Sequence, residues 1–89
     1  MRKKPMDKVV KCVLLDVDNV LITEIIEVIA DIGEPNCKLV NPYQFFSIDD
    51  MKPWPSVSSQ KELMISSDKI LTIADPTPEV IEKYLELTA

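Results

Sequence analysis

Eighty-nine residues with 46% apolar content suffice for one domain and not for two, and a domain of this size hides only about 60–65% of its unfolded-chain surface, so burial in an oligomer is a natural further source of stability. There is no histidine, which removes imidazole bases and the commonest zinc ligand, and two cysteines are too few for a disulfide-dense secreted scaffold. The net charge of −5 is uneven: Arg2, Lys3, Lys4, Lys8 and Lys11 are five of the ten cations, while the chain after them sets five cations against fourteen anions. Such a field repels phosphate backbones unless the remaining cations gather on one face.

The start, Met1 to Asp7, is a basic segment without the apolar core of a signal peptide, and no apolar run approaches the roughly 20 residues of a membrane span. The expectation is a cytoplasmic protein with no membrane partner, in which Cys12 and Cys37 are free thiols acting as small buried hydrophobes.

From Lys8 to Asp16 the run K-V-V-K-C-V-L-L-D puts Val10, Cys12 and Leu14 on one face and Val9, Val13 and Leu15 on the other, the alternation of a strand. Asp16-Val17-Asp18-Asn19 is a turn by composition, and Val20 to Ala30 resumes the apolar pattern, so the two predict a hairpin. The second segment also fits a helix, with Ile22, Ile25, Ile26, Ile29 and Ile32 at helical spacing, Thr23 as N-cap and Gly33 as stop. The density of β-branched residues favours the strand. Asn36 to Phe46 is a third extended piece, in which Pro42 cannot donate to a ladder and marks an edge, a bulge or a bend.

Ser47 to Ser59, with Asp49-Asp50 and Pro53-Trp54-Pro55, reads as a loop with Trp54 as its anchor. Gln60 to Ser67 and Ile70 to Ala74 read as two more short strands joined by a tight reversal at Ser67-Asp68-Lys69. Thr77-Pro78 supplies an N-cap and an N1 proline for a helix over 77–88, with Val80, Ile81, Tyr84 and Leu85 as its apolar stripe. The sum is an all-β domain: five strands over 8–75 that curl into a small SH3-like barrel, pairing or covering their remaining edges, followed by one C-terminal α-helix docked on the barrel or a neighbour and capping an open end. Tyr43, Phe45 and Phe46 belong to the core or to a subunit interface.

Two motifs carry functional weight. Leu14 to Leu21, L-L-D-V-D-N-V-L, resembles the nucleophile motif of haloacid-dehalogenase-like phosphotransferases, which implies Asp16 as nucleophile and Asp18 as acid/base. That chemistry needs a parallel sheet with crossover helices, and the segments downstream with Ser66, Ser67, Lys69 and Asp75 are hairpin-like, so the Asp/Asn turn of a hairpin is the preferred reading. The second is a pair of blocks. Val13, Leu14, Val20 and Ile22 flank a turn ahead of Asn36-Cys37-Lys38-Leu39, like the N-x-x-L of the Sm-like family, and Ile65-Ser66-Ser67-Asp68-Lys69-Ile70 is similar to that family's I-R-G-x-x-I. The phrasing G-E-P-N-C-K-L-V-N-P with S-S-D-K-I-L-T-I also looks like a short phage-type or marine-metagenome branch of it.

The Sm-like resemblance implies a small five-stranded barrel, a cyclic homo-oligomer of five to seven subunits joined by edge-strand pairing, and binding of RNA or single-stranded DNA without catalysis or cofactor. It implies Asn36 at the edge of a base, with Lys38, Ser66, Ser67, Asp68 and Lys69 around it and the basic Arg2, Lys3 and Lys4 on phosphates. Glu34 stands where the family has its stacking residue, Ser66 where it has arginine, and Asp31 is the family's acid displaced by one. An alternative is an acidic ring-forming adaptor that recruits basic protein segments without nucleic acid. The phosphatase is a third.

Overall fold

The computed structural model describes residues 9–89. β1 (Val10–Asp16) and β2 (Asn19–Glu27) form the antiparallel hairpin that the alternation predicts, in register from Val10 opposite Glu24 to Leu14 opposite Val20. The turn is held by the Asp16 carboxylate, whose Oδ1 accepts the backbone N–H groups of Asp18 (2.8 Å) and Asn19 (2.9 Å). This is a side chain standing in for a backbone turn carbonyl. β2 ends at Glu27, short of the predicted Ala30, and the chain to Asn36 is a loop reversed at Gly33, whose φ of +89° favours glycine.

β3 (Cys37–Ser47) pairs along β2 with one irregularity that organises the fold. Glu24 lies opposite Val40 but Ile22 lies opposite Tyr43, so Thr23 faces two residues, Asn41 and Pro42, where β2 spends one. Asn41 adopts φ +52°, a left-handed conformation that asparagine tolerates. The proline thus marks a bulge, one of the three outcomes its position allows. An extra residue reverses the facing of everything beyond it. Leu39 points to the same side as Val13 and Leu21, whereas Tyr43 and Phe45 point to the side of Val10 and Ile22.

Residues 47–59 are not all loop: β4 (Asp50–Pro53) turns back on the second half of β3, with Phe45 opposite Met51 and Tyr43 opposite Pro53. Aspartate and proline are poor strand formers, but the outer edge of β3 needs partners for its backbone groups and the two-residue return supplies them. β5 (Glu62–Ile65) then takes the first half of that same edge, from Cys37 opposite Ile65 to Val40 opposite Glu62. A 3-10 turn, Ser67–Lys69, leads to β6 (Thr72–Ala74), which pairs with β1 at the far end of the sheet. The strand order is β4-β3-β2-β1-β6 with β5 beside β3, six strands where the sequence predicts five. β5 and β6 are therefore not the two halves of a hairpin. The reversal between them carries the chain from one end of a curled sheet to the other, and among the described residues each pairs on one side only.

The concave face closes over Val13, Leu21 and Leu39, all fully buried, with Leu15, Ile25, Trp54, Ile65 and Ile70 around them. The opposite face is covered by α1 (Pro78–Thr88). Its fully buried Tyr84 packs with Val10 and Ile22, flanked by Val80, Ile81, Cys12, Tyr43, Phe45 and Met51. The helix thus docks on its own barrel, over a sheet face and not over an open end, and the buried stripe is narrower than predicted because Leu85 is 38% exposed. The Tyr84 hydroxyl lies 2.8 Å from the Asn41 carbonyl and 3.1 Å from that of Val40, donating into the bulge. Tyr43 meets Tyr84 edge to face at 5.9 Å. Burial, then the nearby Glu24 carboxylate, pushes the Tyr84 phenol well above its ordinary pKa. Strand and helix thereby form one packed unit.

Candidate functional site

Asn36 stands immediately before β3, and its side chain spans to the 3-10 turn 31 positions on. Oδ1 accepts the Ser67 N–H at 2.8 Å and Nδ2 donates to Ser67 Oγ at 3.1 Å. The two sequence blocks therefore converge on one corner of the fold. The turn itself is closed by the Lys69 N–H on the Ser66 carbonyl (3.0 Å) and the Ile70 N–H on that of Ser67 (3.1 Å). Asn36 is accordingly a clamp between blocks, and among the described residues these two bonds use one lone pair and one N–H of its amide.

A cleft of about 250 Å³ opens beside this corner, between the turn and the loop before β3. Its walls include Asp31, Glu34, Asn36, Ser66, Ser67 and Asp68. The Glu34 N–H donates to the Asp31 carbonyl at 3.0 Å, which fixes the two acids on one side of the cleft with Asp68 on the other. Three acidic residues are among its lining, and Lys69 on the adjoining turn is the nearest cation in sequence. Ile29 and Ile32 on the same loop are fully exposed.

The lysines are mostly spoken for. Lys38 pairs with Glu62 across β3 and β5 at 3.3 Å, Lys11 with Asp75, Lys52 with Asp50 at 2.7 Å, and Lys83 with Asp49 at 4.0 Å. Such surface pairs contribute only about 0–1 kcal/mol of stability, but each cancels a charge a phosphate would use. Among the described residues this leaves Lys61 and Lys69 outside these pairs. Arg2, Lys3 and Lys4 lie outside the described residues.

Asp16 and Asp18 sit in an antiparallel hairpin turn and not at the end of a parallel strand. The Asp16 carboxyl is held below its ordinary range, first by the Asn19 side-chain amide, which reaches Oδ1 at 3.0 Å and Oδ2 at 2.9 Å, and then by the Asp18 N–H. The thiols are pushed the other way: burial raises both, and Glu27 adds to it at Cys37. Neither Cys12 nor Cys37 is in a disulfide. Among the described residues, no three of His, Cys, Asp or Glu stand together as metal ligands, and no helix is long and apolar enough to cross a membrane.

The remaining edges, which the sequence does not locate, lie at the two ends of the sheet. The Asn41 N–H donates to the Lys61 carbonyl at 2.7 Å, so by the two-residue alternation Leu39 and Cys37 bond to Leu63 and Ile65. Met64, between them, then turns its N–H and C=O to the open edge. Met64, Leu71 and Ile73 are 48%, 67% and 46% exposed. A second, more apolar cleft of about 530 Å³ lies between the β6 end and the β2–β3 end, lined by Ile25, Ile70 and Ile73 with Cys37 and Lys11.

No curated protein matches this sequence. Residues 8–89 match a family of unknown function (DUF6561), and over that span the chain belongs to this family.

Proposed function

We propose that this protein is an Sm-like subunit that closes into a homo-oligomeric ring through its two sheet ends and binds single-stranded nucleic acid at the corner built by Asn36 and Ser66–Lys69. The observation that carries the reading is that β5 and β6, at opposite ends of the sheet, each pair on one side only among the described residues, as β4 also does beside β5. Open edges are a standing liability, and pairing the β5 of one copy with the β6 of the next satisfies both in a head-to-tail contact that repeats until it closes. The exposed Met64, Leu71 and Ile73 give that contact apolar area. The meeting of Asn36 with Ser67 supports the ligand corner, since the resemblance requires those blocks to share one site.

The test is solution mass with and without Met64→Pro. Because the Met64 N–H faces outward, a proline there removes a donor from the free edge and leaves the β3–β5 ladder intact. A multimer that Met64→Pro converts to a folded monomer supports the reading; a monomeric parent, or an unchanged multimer, refutes it.

The acidic adaptor is a second reading favoured by one observation, the commitment of Lys11, Lys38, Lys52 and Lys83 to carboxylates. Titration with a single-stranded oligonucleotide and, separately, a basic peptide at rising salt divides the two. The nucleic-acid reading expects oligonucleotide binding that weakens with salt and with Lys69→Glu. Peptide binding alone establishes the adaptor.

A further inference from the structure

We propose that a cavity beside Trp54, separate from the Asn36 corner, binds a nucleotide with its base against the indole and its phosphate on Lys61. The cavity measures about 400 Å³ and lies where the edge of β3 passes from β4 to β5, at the bulge. A volume of this size suits a small organic ligand. Its frame is fixed at both ends by backbone hydrogen bonds, the Trp54 N–H to the Pro42 carbonyl at 2.9 Å and the Asn41 N–H to the Lys61 carbonyl at 2.7 Å. The cavity therefore sits on a hydrogen-bonded backbone frame, with the loop residues Ser58, Ser59 and Gln60 along one side.

Its lining has the two halves that nucleotide recognition needs. Trp54, Tyr43 and Pro53 give flat apolar surface, on which any base stacks whatever its sequence. Ser58, Ser59 and Lys61 give hydroxyl donors and one cation, and Lys61 is one of the two lysines outside the ion pairs found among the described residues. The sign of the lining is unusual for this chain. Fourteen acids lie within the described residues, yet no aspartate or glutamate is among the residues lining this cavity, whereas three are among those of the Asn36 cleft. The remaining wall includes Leu87, Thr88 and Ala89 at the carboxyl end of α1, where the helix dipole is negative and Lys61 is the compensating charge. A planar ring bearing an anion fits that combination better than an apolar peptide, which would leave Lys61 unanswered, or a basic one, which it would repel. The inference takes its ligand class from the nucleic-acid reading but does not depend on ring closure.

Trp54 is the only tryptophan, so its emission reports occupancy directly. The experiment titrates the full chain with uridine and adenosine monophosphates, uridine alone, inorganic phosphate and a proline-rich peptide, and repeats the nucleotide arm with Lys61→Glu and Lys61→Arg. Expected are saturable quenching by both nucleotides, weakening by about tenfold or more with Lys61→Glu, and retention with Lys61→Arg, since a charge-assisted hydrogen bond is lost only in the first. Uridine is expected to bind more weakly than its monophosphate. Silence with both nucleotides at millimolar concentration overturns the inference, as does equal response to inorganic phosphate, response to the peptide alone, or binding that Lys61→Glu leaves intact. An oligonucleotide that binds through Lys69 while mononucleotides are silent overturns this cavity's role and leaves the Asn36 corner standing.

Discussion

Replacing Tyr84 with phenylalanine removes one oxygen and tests whether the helix holds the bulge or merely covers it. The hydroxyl serves two carbonyls, at 2.8 Å on Asn41 and 3.1 Å on Val40, while Val40 also accepts from Thr23 Oγ1 at 3.1 Å. Loss of the hydroxyl therefore leaves Val40 with Thr23, whose one proton is shared with the Glu24 carbonyl at 2.8 Å, and Asn41 without this donor. A buried acceptor left unsatisfied costs about 1–3 kcal/mol, and the ring, with all its apolar area, stays in place. With one of the two acceptors still served, the lower half of that range, about 1–2 kcal/mol, is the expected loss. For a domain of this length each kcal/mol moves the melting temperature by about 4–8 °C. Urea unfolding and calorimetry at fixed protein concentration measure it. Because Thr23 and Tyr84 share the Val40 carbonyl, Thr23→Val combined with Tyr84→Phe should cost more than the sum of the single changes, with a coupling of about 0.5–3 kcal/mol. A Tyr84→Phe protein as stable as the parent, or strictly additive costs, would refute the bulge-holding role.

Alkaline titration should reach the same residue. Its phenol pKa is raised in the folded state, so its contribution is complete below the unfolded value of about 10 and is lost as pH rises above it, a loss that Tyr84→Phe abolishes in a pH series of melting temperatures. Asp16 runs opposite: its folded pKa is depressed, so its contribution is present above the unfolded value of about 3.9 and is lost as pH falls below it, and Asp16→Asn should flatten the acid limb of the same series. Gly33→Ala meets no atom within 4 Å of the added carbon, so only the left-handed backbone resists it, at about 1 kcal/mol by urea unfolding. Ending the chain at Pro76 removes the fully buried Tyr84 and the half-buried Val80 and Ile81 from the sheet; with about 1.5–3 kcal/mol for the first and less for each of the others, the truncated chain should lose cooperative unfolding by circular dichroism.

The hairpin of β1 and β2 was legible because alternation of Val10 and Cys12 against Val13 and Leu15 carries the information locally, and Asp16 and Asn19 name their own turn. The helix was legible for the same reason, from Thr77-Pro78 and the spacing of its stripe. β4 was hidden, because Asp50 and Pro53 contradict a strand and only the unpaired edge of β3 calls for one. The separate destinations of β5 and β6 were hidden too, since a short reversal such as Ser67–Lys69 reads like a hairpin turn whether the chain returns beside itself or crosses a curled sheet. At the candidate corner, the contact of Asn36 with Ser67 spans 31 positions, so no local pattern in the sequence states it. Nothing local reveals that Lys38 faces Glu62 or that Trp54 shares a cavity with Lys61, because these are neighbours across strands.

The bulge ties these features together. Had β3 run on in regular register through Asn41 and Pro42, Tyr43 would lie opposite Leu21 and face the concave side with Leu39, as would Phe45, and the surface on which α1 docks would lose two of its aromatics. The bend at Asn41 and Pro42 also divides the outer edge of β3, so β4 covers one half and β5 the other. That division opens the cavity at Trp54 in the gap between them and leaves β5 as a rim strand with Met64 turned outward. Asn41→Val tests the whole chain of consequence, since a β-branched residue resists φ +52° and the bulge should shift or open. A loss of stability accompanied by altered Trp54 emission is the expected result; a stable protein with unchanged emission would mean that the cavity and the helix surface do not depend on the bulge.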